Sequence, residues 1–316
     1  MHARKPDLIL FSGNGNKALS KAISKQLRLK LGKSKVERFS DGEISVKIEE
    51  NVRGMDVFLI QPTCPPAHEN LMELVIMVDA LKRSSASRIT AVIPYYGYAR
   101  QDRKTGPRTP ITAKLVSNLI TNAGADRVLT LDLHAGQIQG FFDIPTDNLY
   151  SSPIFIRDIK KNYKKNITFV SPDVGGITKT REIATQLKSD IAIMDKRRAE
   201  TGKSEVMNVI GEVANKVCVL VDDMVDSAGT LCNAAVALKD RGANEVYAYI
   251  VHPVLSGDAV SKINKSKLDQ LVVIDTIPLS DSAKACKKIR VISLAPTLAA
   301  AIRRVNNEES ISAMFL

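Results

Sequence analysis

The stretch that decides the fold is residues 217–230, VCVLVDDMVDSAGT. Apolar residues fill its first part, two adjacent carboxylates, Asp222 and Asp223, follow, and a small-residue turn leads into an apolar stripe that begins at Leu231. A continuous apolar run is typical of a buried parallel strand, whereas apolar residues at every third or fourth position are typical of a helix. The stretch therefore predicts a strand, a short loop and the start of a helix.

The predicted loop has the chemistry of an anion site, because a third acid is followed there by small and hydroxyl residues: Asp226, Ser227, Ala228, Gly229 and Thr230. Backbone N–H groups at a helix start lack partners within the helix, and the helix dipole adds about half a positive charge. Two carboxylates about 4 Å apart repel by about 4 kcal/mol at an effective dielectric of 20, which hydroxyl donors, a cation or solvent must offset. A sugar phosphate supplies both hydroxyls and a phosphate. The simpler alternative is a capped helix with solvated acids.

Composition limits the class of protein. With 316 residues and 44% hydrophobic residues, we expect a globular chain with one large or two medium domains. No apolar run is long enough to span a membrane, and the N-terminus lacks a signal-peptide core, so we expect a cytoplasmic protein without membrane contact. The cysteines are scattered without a C-x-x-C pair, which predicts free thiols: Cys64, Cys218, Cys232 and Cys286.

The net charge of +11 indicates an anionic partner. Tryptophan is absent, and basic clusters at 100–108 and 196–198 fall in predicted loops after strands. Such clusters fit small polyphosphates better than nucleic acid, because a duplex requires a broad basic face.

Strands and helices alternate along both halves of the chain, with a hairpin around residues 40–43. The pattern predicts an α/β fold with mainly parallel sheets. Because the order of elements is similar in the two halves, we expect two related domains, residues 1–150 and 151–316. In such sheets ligands bind beyond the carboxyl ends of the strands. The predicted strands are 8–12, 36–39, 44–48, 57–61, 88–94, 127–133, 167–170, 191–194, 206–210, 217–221, 246–251 and 271–274.

Longer motifs cover nearly the whole chain in a fixed order: FSDGE (39–43), NLMEL (70–74), AVIPYYGYARQDRK (91–104), DLHAGQIQGFFDIP (132–145), SPDVGG (171–176), DKRR (195–198), VDDMVDSAGT (221–230) and AIRRVNNEESISAMF (301–315). With these motifs the chain resembles the ribose-phosphate diphosphokinases, also called phosphoribosyl-diphosphate synthetases, and most of all their phosphate-activated bacterial-type class. The resemblance implies two phosphoribosyltransferase-like domains, with a hairpin extension in the N-terminal one.

The resemblance also implies a reaction. The diphosphoryl group of ATP moves to the C1 hydroxyl of ribose 5-phosphate, giving 5-phospho-α-D-ribose 1-diphosphate (PRPP) and AMP, with Mg²⁺ as cofactor. It further implies a homohexamer with active sites at subunit interfaces, and phosphate and ADP as allosteric effectors.

Residue roles follow from the same resemblance. Asp222 and Asp223 face the ribose hydroxyls, directly or through a metal, and residues 226–230 hold the 5-phosphate. The catalytic cations are Lys196 and Arg198. The Mg²⁺ ligands are His134 and Asp173. ATP is bound by Arg100 and Gln101, and its adenine is read in a neighbouring subunit by Phe39, Asp41, Gly42 and Glu43. The allosteric residues are Arg108, Ser310 and Ser312.

Each assignment has an alternative. A lone histidine is more often structural than a ligand, Asp173 could cap the helix that begins near Ile177, and residues 40–43 could be an ordinary hairpin turn. Here Ala228 stands where the family often has glycine, so its backbone is less free. The alternative functions are a phosphoribosyltransferase, which shares the ribose loop, a non-catalytic regulatory relative, and a basic nucleic-acid-binding module.

Overall fold

A computed structural model gives the fold and describes residues 7–163, 166–197 and 206–315, with the backbone alone at 196, 197, 206 and 207. The chain packs as two compact units. The first contains the residues up to Tyr150, Thr276–Pro278 and the chain from Ser293 onward, and the second contains Ser151–Asp275 and Leu279–Ile292. The predicted division into domains 1–150 and 151–316 remains a prediction. In the packing units, the segment from Ser293 onward belongs to the first unit and not to the second.

The first unit is built on a parallel sheet of five strands. Its elements are β1 (Leu8–Ser12), α1 (Lys17–Leu27), β2 (Ser34–Arg38), β3 (Ile44–Ile48), β4 (Asp56–Ile60), α2 (Ala67–Arg83), β5 (Arg88–Ile93), α3 (Thr112–Ala123), β6 (Arg127–Leu131), a 3₁₀ turn (Gly136–Phe141) and β7 (Thr146–Leu149). The strand order is β1-β4-β5-β6-β7, and every pair is parallel. Strands β2 and β3 form a separate antiparallel hairpin, as predicted.

The second unit is built on a sheet of seven strands. Its elements are α4 (Ser152–Asn162), β8 (Ile167–Ser171), α5 (Ile177–Leu187), β9 (Asp190–Arg197), β10 (Val206–Ile210), β11 (Val217–Val225), α6 (Gly229–Asp240), β12 (Glu245–Pro253), α7 (Ala259–Lys265), β13 (Gln270–Ile274), α8 (Asp281–Ala285) and β14 (Ile289–Ile292). The order is β10-β9-β8-β11-β12-β13-β14, and β10 alone runs antiparallel to its neighbour. The chain then returns to the first unit as α9 (Ala295–Asn306) and a 3₁₀ turn (Ser312–Met314).

The two sheets repeat one topology. The order β1-β4-β5-β6-β7 of the first unit recurs as β8-β11-β12-β13-β14 in the second. The hairpin of β2 and β3 corresponds in chain order to β9 and β10, which pair with each other and extend the sheet at β8. This repetition and the mainly parallel sheets confirm the predicted α/β class with two related domains.

Burial of apolar strands holds each unit together. All five residues of β4 are buried, and residues 218–221 of β11 are buried as well. Each fully buried large apolar side chain contributes about 1.5–3 kcal/mol. Helix α9 packs on α1 within the first unit. Among the described residues, no helix is long and apolar enough to cross a bilayer.

Several strand limits differ from the predicted ones. Strand β6 stops at Leu131 because Asp132 takes a φ of +41° and its N–H bonds the carbonyl of Leu149 at 2.9 Å. Strand β11 continues to Val225, because β12 offers it a partner as far as Pro253. The sequence analysis missed β7, whose TDNL sequence contains two residues that are poor strand formers.

Candidate active site

The acid pair of β11 lies at the carboxyl edge of the second sheet. Asp222 is opposite Ile250 of β12, whereas the pairing of β11 with β8 ends at Leu220. The two carboxylates are therefore on a strand that extends beyond one neighbour, which leaves room on that side. The N–H of Asp223 donates to Oδ1 of Asp222 at 2.9 Å, so the backbone itself fixes the first carboxyl group.

Burial raises the pKa of Asp222, and the neighbouring carboxylate of Asp223 raises it further by repulsion. The charge of Asp173 acts in the same direction. All three acids thus lie near one another at one sheet edge. A cation or hydroxyl donors at this edge would relieve the repulsion, which is what the sequence analysis inferred for the pair.

The predicted anion-binding loop lies directly after these acids. Helix α6 begins at Gly229, and its first internal bond runs from the N–H of Cys232 to the carbonyl of Ala228 at 3.0 Å. The earlier N–H groups of the helix have no acceptor within it. Ser227 and Thr230, on either side of the helix start, are exposed, so their hydroxyls are open to a ligand there. A phosphate can therefore be held here by backbone and hydroxyl donors.

Ala228, which stands where the family often has glycine, adopts a left-handed conformation. Its φ and ψ are +61° and 2°, and its methyl group is buried in the core of the second unit. Left-handed backbone costs a non-glycine residue roughly 1–2 kcal/mol, whereas burial of one methyl group returns about 0.8 kcal/mol. The loop keeps its shape with alanine because packing offsets much of this cost.

Asp173 lies in the loop between β8 and α5. Its Oδ1 accepts the N–H of Gly176 at 3.0 Å, and its carbonyl accepts the hydroxyl of Ser171 at 2.6 Å. The N-cap residue of α5 is Gly176, and the helix has no side-chain capping bond, so the contact of Asp173 closes the loop just before the helix and does not cap it. A Cβ on Gly176 would lie 2.9 Å from the Ser171 hydroxyl, so a larger residue here would force that hydroxyl to move. The side chain of Asp173 is exposed and keeps a second carboxylate oxygen for other ligands.

Three predicted residues of the first unit follow neighbouring strands. Arg100 and Gln101 come after β5, and His134 comes after β6 with an exposed side chain. The carbonyl of Gln101 accepts the N–H of Ala113, and its side chain accepts the hydroxyl of Thr112, so Gln101 is anchored to the start of α3. These residues share the carboxyl edge of the first sheet.

The loops that carry these residues are joined by one hydrogen bond. Nε2 of Gln137 donates to Oδ2 of Asp102 at 2.7 Å. Asp102 belongs to the loop of Arg100, and Gln137 belongs to the turn after His134. The predicted ATP loop and the predicted metal loop are therefore connected within the first unit.

The hairpin turn between β2 and β3 is exposed. The side chain of Phe39 is 58% exposed, an unusual fraction for an aromatic residue. The N–H of Gly42 donates to the carbonyl of Phe39 at 2.9 Å, and the N–H of Glu43 donates to Oδ1 of Asp41 at 3.0 Å. Gly42 has a φ of +96°, which glycine adopts readily. The turn thus presents Phe39, Asp41 and Glu43 outward.

The remaining predicted residues are only partly described. Lys196 is in β9, opposite Met207 of β10, and only its backbone is described, while Arg198 is outside the described residues. Arg108 is exposed with a φ of +60°. Ser310 and Ser312 are exposed after α9, and the carbonyl of Ser310 accepts a guanidinium N–H of Arg304 at 2.9 Å.

The donor set suits a magnesium ion that keeps other ligands. Among the described ranges 7–163, 166–197 and 206–315, no group of three or more His, Cys, Asp or Glu side chains could hold a metal ion. Mg²⁺ usually binds one or two carboxylates and completes its shell with waters and substrate phosphates. The carboxylates Asp173, Asp222 and Asp223 fit that mode, because they supply the oxygen atoms that Mg²⁺ prefers.

Sequence reasoning missed one residue at this site. Ser256, in the loop after β12, donates its hydroxyl to Oδ1 of Asp226. The tripeptide Ser256-Gly257-Asp258 resembles many loops, and only its place after an apolar strand could have drawn attention to it.

The repeated, mainly parallel sheet, with an acid pair in β11 and a helix start after that strand, places the chain in the phosphoribosyltransferase-like class of α/β proteins. Comparison with known protein families identifies a narrower family within that class. Residues 8–124 match the N-terminal domain of ribose phosphate pyrophosphokinase, and residues 178–316 match the phosphoribosyl synthetase-associated domain.

Similar proteins match over almost the whole chain. A ribose-phosphate pyrophosphokinase of Rhizobium meliloti is 61% identical over 97% of this chain and 99% of its own length. One of Neisseria meningitidis is 55% identical over 98% of this chain and 94% of its own. The crystal structure of a phosphoribosylpyrophosphate synthetase from Mycobacterium smegmatis is 38% identical, covers 96% of this chain and 99% of its own, and has a TM-score of 0.91. This chain belongs to the ribose-phosphate pyrophosphokinase family, and the resemblance found in the sequence is confirmed.

Proposed function

We propose that this chain transfers the diphosphoryl group of ATP to the C1 hydroxyl of ribose 5-phosphate, forming PRPP and AMP for nucleotide biosynthesis. The observation that carries this proposal is the acid pair and helix start at β11 and α6, in a chain 55–61% identical to enzymes named for this activity. Full-length matches to pyrophosphokinases exclude the phosphoribosyltransferase alternative. The nucleic-acid alternative has no support, because these relatives are metabolic enzymes by name.

The sugar binds at the edge of the second sheet. Asp222 and Asp223 accept hydrogen bonds from the ribose hydroxyls, directly or through the metal. Residues 226–230 hold the 5-phosphate through the free N–H groups at the start of α6 and the hydroxyls of Ser227 and Thr230. We expect C1 on the acid side of the loop, since the phosphate is anchored at the other end of the sugar.

In the reaction, the C1 oxygen attacks the β-phosphorus of ATP. The bond between the β-phosphorus and the oxygen that bridges it to the α-phosphorus breaks. AMP leaves with that oxygen, and the hydroxyl proton is released. Such a transfer depends on positioning and on stabilising charge on the phosphates. Lys196 and Arg198 supply that charge as a point cation and a planar fork.

ATP binds through residues of the first unit. Arg100 and Gln101 contact its phosphates and nucleoside, and the hairpin residues Phe39, Asp41, Gly42 and Glu43 read the adenine in a neighbouring subunit. The exposed ring of Phe39 supports this role, because a stacking partner is needed to cover it. Mg²⁺, held by His134 and Asp173 together with waters and phosphate oxygens, neutralises charge on the triphosphate when it is bound.

The assembly we propose is an oligomer, because the hairpin serves a site on another subunit. The family resemblance suggests a homohexamer, and we propose that it is located in the cytoplasm. Phosphate and ADP act at a separate allosteric site that includes Arg108, Ser310 and Ser312. The exposure of all three residues is consistent with an effector site. We expect no nucleic-acid or membrane partner.

A product assay tests the proposal. Purified protein with Mg²⁺, ATP and ribose 5-phosphate should form AMP and PRPP in equal amounts, as measured by phosphorus NMR. ADP as the nucleotide product would indicate transfer of a single phosphoryl group and refute the proposal. Consumption of added PRPP only in the presence of a free base would indicate a transferase instead.

A further inference from the structure

The loop that follows β12 is bonded to the phosphate loop along its backbone. The N–H of Leu255 donates to the carbonyl of Val225 at 3.0 Å, and the N–H of Ser256 donates to the carbonyl of Asp226 at 3.1 Å. The pairing of β11 with β12 ends where Val225 is opposite Pro253. These two bonds therefore continue the ladder past the strands and tie the two loops together.

The conformation of this loop is strongly constrained. Leu255 has a φ of +50°, and Gly257 has a φ of +57°. Left-handed backbone is unfavourable for leucine, because its Cβ approaches the following carbonyl, so it persists only where the surroundings enforce it. The Leu255 side chain packs on the core of the second unit, which supplies that constraint. Ser256, between these two residues, is thereby presented toward the phosphate loop.

The side chain of Ser256 makes the third bond between the loops. Its hydroxyl donates to Oδ1 of Asp226. A hydrogen bond to an ionised carboxylate is shorter and roughly twice as strong as one between neutral groups. Asp226 is two residues before Ala228, the N-cap residue of α6, which has no side-chain capping group. Aspartate near a helix start readily accepts the unpaired N–H groups there.

We infer that Ser256 is a positioning residue that holds the Asp226 carboxylate away from the helix start, so that the N–H groups of α6 stay available for the 5-phosphate. This inference rests on the proposed function, since it takes ribose 5-phosphate as the ligand of residues 226–230. Without the Ser256 hydroxyl, the carboxylate has one partner fewer in the loop after β12 and competes more strongly for the N–H groups that the phosphate needs. The phosphate then binds against this competition.

The test is the Ser256→Ala variant, assayed with ribose 5-phosphate varied at saturating Mg²⁺ and ATP. The KM for ribose 5-phosphate should rise about tenfold, as for loss of a hydrogen bond to a charged group, while kcat and the KM for ATP change less than about twofold. Calorimetric titration with ribose 5-phosphate alone should show the same loss of affinity. Thermal unfolding of the variant should match that of the wild type.

Two variants serve as controls. Ser256→Thr keeps a hydroxyl at an exposed position and should restore the wild-type KM. Ser189→Ala removes a hydroxyl that donates to the carbonyl of Leu187 at 3.3 Å, after α5 of the second unit, and should change neither constant.

The possible results separate this inference from the function on which it rests. A wild-type protein that forms no PRPP overturns the proposed function. An active wild type whose KM for ribose 5-phosphate is unchanged in Ser256→Ala overturns this inference alone. The inference also fails if kcat falls as much as affinity, or if Ser256→Thr behaves like the alanine variant.

Discussion

At the scale of single residues, the charge on Asp222 links the site to the stability of the protein. Burial and the neighbouring carboxylate raise the pKa of Asp222 to about 7. In the unfolded chain an aspartate titrates near 3.9. A carboxyl group with a raised folded-state pKa stabilises the fold fully below its unfolded pKa, and this contribution is lost as the pH rises through the folded value. Ionisation of Asp222 at higher pH therefore costs stability in the ligand-free site.

We predict that the ligand-free protein loses stability as the pH rises from about 4 to about 7. The loss attributable to Asp222 is roughly 2 kcal/mol, since one pKa unit corresponds to about 1.4 kcal/mol and solvent screens part of the effect. Thermal unfolding measured across this range should show a flatter pH profile for Asp222→Asn. The exposed acid Asp79 provides the control, because Asp79→Asn should leave the wild-type slope. An equally steep profile in Asp222→Asn would contradict the assignment.

At the scale of elements, the repeated topology shows how two related units acquire different tasks. Strand β4 corresponds to β11, yet β4 is followed by Gln61, Pro62 and Thr63 in place of acids. The first unit therefore lacks the ribose-phosphate motif at the equivalent place. The hairpin of β2 and β3, proposed to read adenine, corresponds to β9 and β10. Of the proposed catalytic cations, Lys196 lies in β9 and Arg198 follows β9 in the sequence. In both units an antiparallel strand pair lies in the chain between a helix (α1 or α5) and a parallel strand (β4 or β11). We propose that each pair contributes residues to substrate binding or catalysis.

The end of β9 provides a prediction at this scale. Lys196→Ala should lower kcat about 100-fold or more with little change in KM, because the ammonium group meets charge that develops on the transferring phosphates. Lys160→Ala, at an exposed lysine of α4, removes the same charge from the second unit and should leave both constants unchanged. Steady-state measurement of kcat and KM for the two variants would test this prediction. A large rise in KM at constant kcat would mean that Lys196 only binds ground-state substrate.

At the scale of the whole molecule, one buried charge connects α9 to the strands of the first unit. Asp56, at the start of β4, is 1% exposed and accepts two bonds from the guanidinium of Arg88 at 2.9 and 2.6 Å. It also accepts the side-chain amide of Asn306 at 2.8 Å, and Arg88 donates to the carbonyl of Val305 at 3.1 Å. These bonds connect the starts of two central strands to the C-terminal end of α9.

We predict that Arg88→Ala destabilises the first unit by about 3 kcal/mol, because it leaves the Asp56 carboxylate buried without its cation. Arg83→Ala is the matched control. Its guanidinium also bonds an aspartate, Asp79, at 2.8 Å, but on the exposed surface of α2, where an ion pair contributes little. Urea unfolding of both variants, followed by a signal from the first unit, would measure the difference. Equal stability of the two variants would contradict the role of Asp56.

Much of this arrangement could be predicted from the sequence. The apolar runs located most of the strands, and the acids and small residues of 222–230 located the phosphate loop, because both signals are local. The left-handed backbone of Ala228 and the short strand β7 were not predicted, since packing and edge pairing override local preference there. The contact of Ser256 with Asp226 joins residues 30 positions apart and leaves no local pattern. The packing of α9 with the first unit is non-local for the same reason.

The return of the chain to the first unit has a consequence for biosynthesis. At about 5–20 residues per second, the ribosome needs roughly 8–30 seconds to proceed from Tyr150 to the end of α9. During that interval the first unit has its sheet but not the helix that covers α1. The second unit, although begun later, needs nothing beyond Ile292 and is complete before the first. We therefore expect the nascent first unit to be the part that chaperones protect, and the last helix to be the step that releases it.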